Sequence, residues 1–263
     1  MNETGNRRSG NLDDLWAIVD GLPMYARVAL DQAPPGAPSV VLVHGLGVSS
    51  RYMVPTALRL APDYRVYAPD LPGFGKSIHP PRALDIAGQA DALAAWMAAV
   101  GLERAVFLGN SVGCQAIAAL AHRHPARLTR AILVGPAFDP AARSALTEIR
   151  RVLRDWPHEP LSLDWIVLRD YLAAGPLRIW QTFQFALRYP LAERLAGLAA
   201  PTLVVRGGED PIVPQAWAER ATTLLPDGRL VVVPGAGHAV NYDAPAPLVA
   251  AVRAFLGSLP CPA

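Results

Sequence analysis

The sequence predicts an α/β fold, a mainly parallel sheet wrapped on both faces by helices, on three observations. Short unbroken apolar runs rich in β-branched residues recur along the chain. Helical patterns alternate with them, and 263 residues suit one such domain with a sizeable core better than two.

Taken in order, LWAIVDGLPMYARVAL (15–30) reads as a hairpin, with Asp20-Gly21 as the turn signal between two strand-like runs. SVVLVHG (39–45) is a continuous apolar run, as expected of a strand buried on both faces. RVYAPDLPGFG (65–75) is a second such strand running into a Pro/Gly loop, and AVFLGN (105–110) and RAILVGPAF (130–138) are a third and fourth. PTLVVRGGED (201–210) and RLVVVPGAG (229–237) follow late in the chain. Helical patterns fall between them at 52–60, 83–100, 112–122, 215–225 and 246–259. The rhythm breaks at 138–196, which holds no strand-like run, several amphipathic helical ones, and Trp156, Trp165 and Trp180. This segment reads as a helical insertion, a cap on a core made of 1–137 and 197–263.

Composition narrows the function classes. The 24 Lys and Arg against 22 Asp and Glu give a net charge of +2, and no basic run is long enough to track a phosphate backbone, so a nucleic-acid partner is not expected. The stretch MNETGNRRSGNLDDLW has no apolar segment after its arginines and reads as neither a signal peptide nor a membrane anchor, so a soluble cytoplasmic protein without a membrane partner is expected. The two cysteines, Cys114 and Cys261, lack the spacing of a metal or redox site and read as free thiols. No motif for a metal, nucleotide or organic cofactor is present, and none is expected.

The chemistry begins at Gly109-Asn110-Ser111-Val112-Gly113. A Gly-x-Ser-x-Gly pattern is expected by chance about 0.06 times in a chain of this composition, and here it joins a strand to a helix. In that setting the turn is tight enough to strain the serine backbone and lift its hydroxyl above the sheet, and side chains at 109 and 113 would block it. The bland alternative is a serine that merely caps the helix. A nucleophilic serine needs a base, and of six histidines His238 is the best placed, in a Gly-rich loop after the last strand. His122 and His124 end the serine's own helix, His79 and His158 flank prolines, and His44 sits where it shapes a loop. The imidazole needs an acid to fix its tautomer: Asp210, just past a strand end, is the first choice, Asp139 the second, and neighbouring Glu209 points away. Backbone N–H groups of Leu46, in the loop HGLG, and Val112 are the candidates for an oxyanion hole.

The segments VLVHGLG, APDLPGFGKS, GNSVG, GGEDPIVP and GAGHAVNYDAP together resemble the successive signatures of the α/β-hydrolase fold family. The resemblance implies an eight-stranded, mostly parallel sheet with a helical cap. It also implies a triad of Ser111, Asp210 and His238, with His44 shaping the oxyanion loop. A serine at 111 disfavours haloalkane dehalogenases and epoxide hydrolases, which use an aspartate there. Asn110 and LPGFGKS are similar to hydrolases that cleave carbon–carbon bonds of vinylogous diketones, whereas Ala239 after the histidine and Cys114 after the elbow depart from that group. The expectation is a carboxylesterase acting on small apolar or aromatic acyl substrates, with carbon–carbon hydrolysis second and a slow-turnover small-molecule receptor third. Trp165, Trp180, Phe183 and Phe185 are the aromatic residues expected to line a pocket or pack the insertion.

Overall fold

The computed structural model describes residues 11–142 and 144–258; Cys261 and the end of the last expected helix lie outside them. Eight strands form one sheet: β1 (Asp13–Val19), β2 (Leu22–Ala29), β3 (Ser39–Val43), β4 (Arg65–Pro69), β5 (Ala105–Asn110), β6 (Leu128–Val134), β7 (Thr202–Gly207) and β8 (Gly228–Val233). Their spatial order is β1-β2-β4-β3-β5-β6-β7-β8, antiparallel at β1–β2 and β2–β4 and parallel from β4 onward. The β1–β2 turn is the expected two-residue one, with Asp20 at φ 50° and Gly21 at φ 78°, the signs a type I′ turn requires.

The unbroken apolar runs are unbroken because both faces of the central strands are covered. In β5, Phe107 enters the core on one face while Val106 and Leu108 enter the core on the other. The first core is closed by α2 (Ile86–Ala99), α3 (Val112–Arg123) and α8 (Gln215–Leu224), the second by α1 (Val54–Leu60) and α10 (Pro245–Gly257). Each fully buried large apolar side chain in these layers contributes about 1.5–3 kcal/mol. The expected helices 52–60 and 83–100 begin later than the pattern suggested, at Val54 after a 3₁₀ turn and at Ile86, where Asp85 accepts the Gly88 N–H at 2.7 Å and fixes the start.

Between β6 and β7 the described residues include no strand and form α4 (Ala145–Asp155), α5 (Leu161–Ala174), α6 (Pro176–Arg188) and α7 (Leu191–Ala196), joined by 3₁₀ turns and loops. Buried and half-buried polar ties hold this insertion to the rest. Ser49 donates to Asp170 at 2.6 Å, Gln115 donates to the Ala186 carbonyl at 3.1 Å, and Arg178 donates to the Pro80 carbonyl. The short α9 (Val240–Asp243) follows β8.

A parallel sheet sets the carboxyl ends of β3, β5, β7 and β8 on one edge, and Leu46, Ser111, Asp210 and His238 all lie just beyond those ends. At β5 the packing is close enough to demand glycine. A Cβ at Gly113 would stand 2.4 Å from the Val43 carbonyl oxygen, and one at Gly109 would stand 2.7 Å from the Gly113 backbone. Gly113→Ala is therefore expected to cost about 1–3 kcal/mol and lower Tm by several degrees, while Gly257→Ala, with nothing within 4 Å, leaves Tm within about a degree. Equal melting temperatures for the two variants would contradict the close packing.

Candidate active site

Ser111 is at the N-cap position of α3, yet its side chain makes no capping hydrogen bond. Its backbone has φ 55° and ψ −117°, a conformation that residues with a Cβ rarely adopt. Three hydrogen bonds hold that turn. The Ser111 N–H donates to the Val134 carbonyl at 2.9 Å, and the buried Asn110 amide donates to the Val134 and His238 carbonyls at 3.4 and 3.2 Å. Tyr52 completes the Asn110 side chain by donating to its oxygen at 3.1 Å. Cys114 packs beneath, fully buried, its thiol donating to the Gly109 and Val134 carbonyls at 3.2 and 3.4 Å, and burial pushes that thiol's pKa well up.

His238 and Asp210 meet as the strand ends predict. His238 Nδ1 donates to Asp210 Oδ2 at 2.8 Å, and both side chains are buried. The other Asp210 oxygen accepts the N–H groups of Ile212 and Val213 at 2.8 and 2.9 Å, so the carboxylate cannot turn. Burial alone would raise the Asp210 pKa, but the His238 charge and these hydrogen bonds hold it below the usual carboxylate value. Burial likewise opposes charge on His238, and the Asp210 charge and hydrogen bond, with Asp155 and Glu159, outweigh it and push the imidazole up to about 9. Gly135 lies directly against the pair: a Cβ there would be 2.9 Å from His238 Cε1.

The loop after β3 closes the arrangement. His44 is buried, its Nε2 accepts the Leu71 N–H at 3.0 Å, and Nδ1 lies 2.9 Å from the Gly45 carbonyl. Those partners require the neutral ring with its proton on Nδ1, and burial lowers its pKa in the same sense. A Cβ at Gly45 would be 3.4 Å from the Ser111 Cβ, which shows how near the loop runs. Ser111, Val112, Gly45, Leu46 and His238 line one cavity of about 160 Å³.

The remaining candidates go elsewhere. Asp139 accepts the Ala141 N–H at 2.9 Å and faces Arg151 at 3.9 Å; Glu209 is exposed. His124 bonds Asp91 at 2.8 Å, His122 bonds Arg194 at 3.0 Å and His79 is exposed, while the His158 side chain lies outside what is described. Trp180 and Phe183 line cavities, whereas Trp165 is 72% exposed and Phe185 lines neither cavity near the serine. Among the described residues no group of three or more His, Cys, Asp or Glu side chains is arranged to hold a metal ion, and no helix is long and apolar enough to cross a membrane.

Sequence reasoning missed a set of insertion and strand residues that organise this edge. Asp155, at the end of α4, accepts the His238 backbone N–H at 3.4 Å and shares a side-chain hydrogen bond with Glu159. Burial, then the Asp155 charge, raises the Glu159 pKa to about 7. Glu148 and Glu159 both line the serine's cavity, with Glu148 paired to Arg151 at 2.8 Å. Glu148 and Asp155 stand seven residues apart, two turns along one helical face, which is the signal that was there to find. Arg206, an arginine inside the apolar run of β7, donates to the carbonyls of Val213, Gly208 and Asp210 at 2.7, 3.0 and 2.8 Å and shapes the acid's loop.

The alpha/beta hydrolase family profile matches residues 40–251. The chain belongs to the alpha/beta hydrolase family. A protein of a Caulobacter species named a carbamate hydrolase, RutD, is 30% identical to this hydrolase, the match covering 95% of this chain and 98% of the relative. A 2-hydroxy-6-oxo-6-phenylhexa-2,4-dienoate hydrolase of Burkholderia cepacia is 28% identical over 82% of this chain and 86% of its own. Among solved structures, a bacterial membrane phospholipase A superposes with a TM-score of 0.81 at 26% identity, covering 95% of this chain and 87% of that one.

The negative charge of the Asp155–Glu159 pair favours the imidazolium form of the hydrolase's His238. In an NMR titration of the imidazole nitrogens, wild-type His238 is expected to titrate above the ordinary histidine range, and Asp155→Asn to titrate at lower pH. An unchanged titration in the variant would contradict the coupling.

Proposed function

We propose that the hydrolase cleaves carboxylic esters through an acyl intermediate on Ser111. The observation that carries the reading is the common cavity of Ser111 and His238, with Nδ1 of that histidine committed to Asp210. Holding Nδ1 on the carboxylate leaves Nε2 as the ring atom for proton transfer. In this reading Nε2 removes the Ser111 proton as Oγ attacks the ester carbonyl, and the charge that develops on the carbonyl oxygen is met by the N–H groups of Leu46 and Val112. The imidazolium then gives its proton to the departing alcohol. Water, activated by the same nitrogen, releases the acid and restores the serine. The insertion at 138–196 acts as the cap over this cavity, and Asp155 ties it to the backbone of the base.

A carbamate, the class in the name of the Caulobacter relative, presents a carbonyl that these steps would open in the same way, so it belongs beside esters in the substrate panel. A vinylogous diketone, cleaved at a carbon–carbon bond, is the second reading, favoured by the Burkholderia relative.

A panel of short 4-nitrophenyl esters, a phenyl carbamate and one vinylogous diketone tests the proposal. Wild-type turnover is expected to be highest on esters and Ser111→Ala to lower kcat/KM by at least about 10³-fold with an unchanged circular dichroism spectrum. Preference for the diketone, or ester hydrolysis that survives Ser111→Ala, would overturn it. The pH profile carries a second expectation. Because His238 must be neutral to act as base and its pKa is raised to about 9, kcat/KM is expected to climb with pH across the alkaline range. A profile already level at pH values near the ordinary histidine pKa of about 6.5 would contradict it.

A further inference from the structure

Large apolar side chains crowd the outer face of the helical insertion. Leu153, Trp156, Trp165, Leu172, Leu177 and Trp180 are each more than half exposed. Helices α4, α5 and α6 enclose an open groove of about 540 Å³ there, and no charged side chain lines it. This groove shares a wall with the serine's cavity, since Leu46, Val152, Tyr171 and Phe183 line both.

The two spaces differ in size and chemistry. At about 160 Å³ the serine's cavity falls short of the roughly 300–1,000 Å³ that ligand sites usually offer, so it seats the reacting carbonyl and little more. It also carries Glu148 and Glu159, which an apolar chain would avoid, whereas the groove offers only apolar and aromatic wall. The shared wall includes Leu46, whose N–H is the proposed oxyanion donor. A chain leaving the carbonyl on that side runs into the groove.

We propose that the groove seats an unbranched alkyl chain attached to the scissile ester, so that the substrate is a medium- or long-chain ester rather than a short one. This rests on the ester-hydrolase reading and extends it. The chain belongs either to the acid or to the alcohol, and the substrates below separate the two.

The test measures kcat/KM on 4-nitrophenyl acetate, butyrate, octanoate and dodecanoate, and on octyl and dodecyl acetate followed by proton release. The variants are Leu172→Glu and Leu153→Glu, both at exposed helix positions where a charge would enter the groove without disturbing a core. For the wild type, kcat/KM is expected to rise with chain length by up to about fourfold per methylene until the groove is filled. An acyl-side chain gives this rise in the 4-nitrophenyl series, an alcohol-side chain in the alkyl acetates. Each variant is expected to lose at least tenfold more on the favoured long ester than on 4-nitrophenyl acetate. Rates that are flat or falling beyond butyrate in both series, or equal losses on short and long esters, would overturn the proposal.

A binding arm separates this outcome from failure of the esterase reading. Ser111→Ala titrated with dodecanoate is expected to show a saturable change in tryptophan fluorescence that Leu172→Glu removes. Saturable binding with no ester hydrolysis in the wild type would leave the groove and sink the esterase. No binding, together with a dimer in light scattering that Leu172→Glu dissociates, would make the groove an interface between two copies and overturn the proposal.

Discussion

Everything on the carboxyl edge of the sheet depends on the near contact of β5 and α3 at Gly109 and Gly113. Because neither residue has a Cβ, the chain turns from strand to helix in one residue, and that residue is Ser111 with a positive φ. Such a conformation costs about 1–3 kcal/mol and persists only where its surroundings over-determine it. Here β6 takes the Ser111 N–H, Asn110 is bonded on three sides, and Gly113 lies against the end of β3. The strain therefore rests on the most deeply buried strands of the sheet.

The histidine side of the site is organised on the same plan from several directions. Asn110 holds the His238 carbonyl, Asp155 its N–H, Asp210 its ring and Gly135 the space beside it. Core strands and the helical insertion thus converge on one residue, with Asp155 joining the end of α4 to the His238 backbone. Electrostatics follow from the same convergence. Asp210, Asp155 and Glu159 all favour the charged ring, and their joint effect exceeds the opposing cost of burial. An imidazolium is stabilised by this setting at the moment it would form.

The fold was legible because its strands obey one rule: a strand covered on both faces needs an unbroken apolar stretch, and 40–43, 105–108 and 203–205 supply it. Ser111, Asp210 and His238 were singled out by the same logic, each being a polar residue in the turn or loop that follows a strand-like run, and the structure brings them to one edge of the sheet. Helix starts were less visible, since Ala83 and Leu84 fit the helical pattern while the bond from Asp85 to the Gly88 N–H decides the boundary. The insertion's contribution was not read. The segment was read for its apolar pattern alone, so the seven-residue spacing of Glu148 and Asp155 along one face of α4 went unused, and Glu159, beyond the end of that helix, carried no such pattern. Trp165 failed as a pocket residue for the converse reason: a large apolar side chain on an amphipathic helix has two faces to choose from, and it took the outer one.

The proposed chemistry stands or falls with Ser111 Oγ as the nucleophile. Wild-type protein treated with a fluorophosphonate, digested and mapped by mass spectrometry tests it most directly. A single adduct is expected on the peptide containing Ser111, formed in step with loss of ester hydrolysis. An adduct on another residue, or full modification of Ser111 with hydrolysis intact, would contradict it.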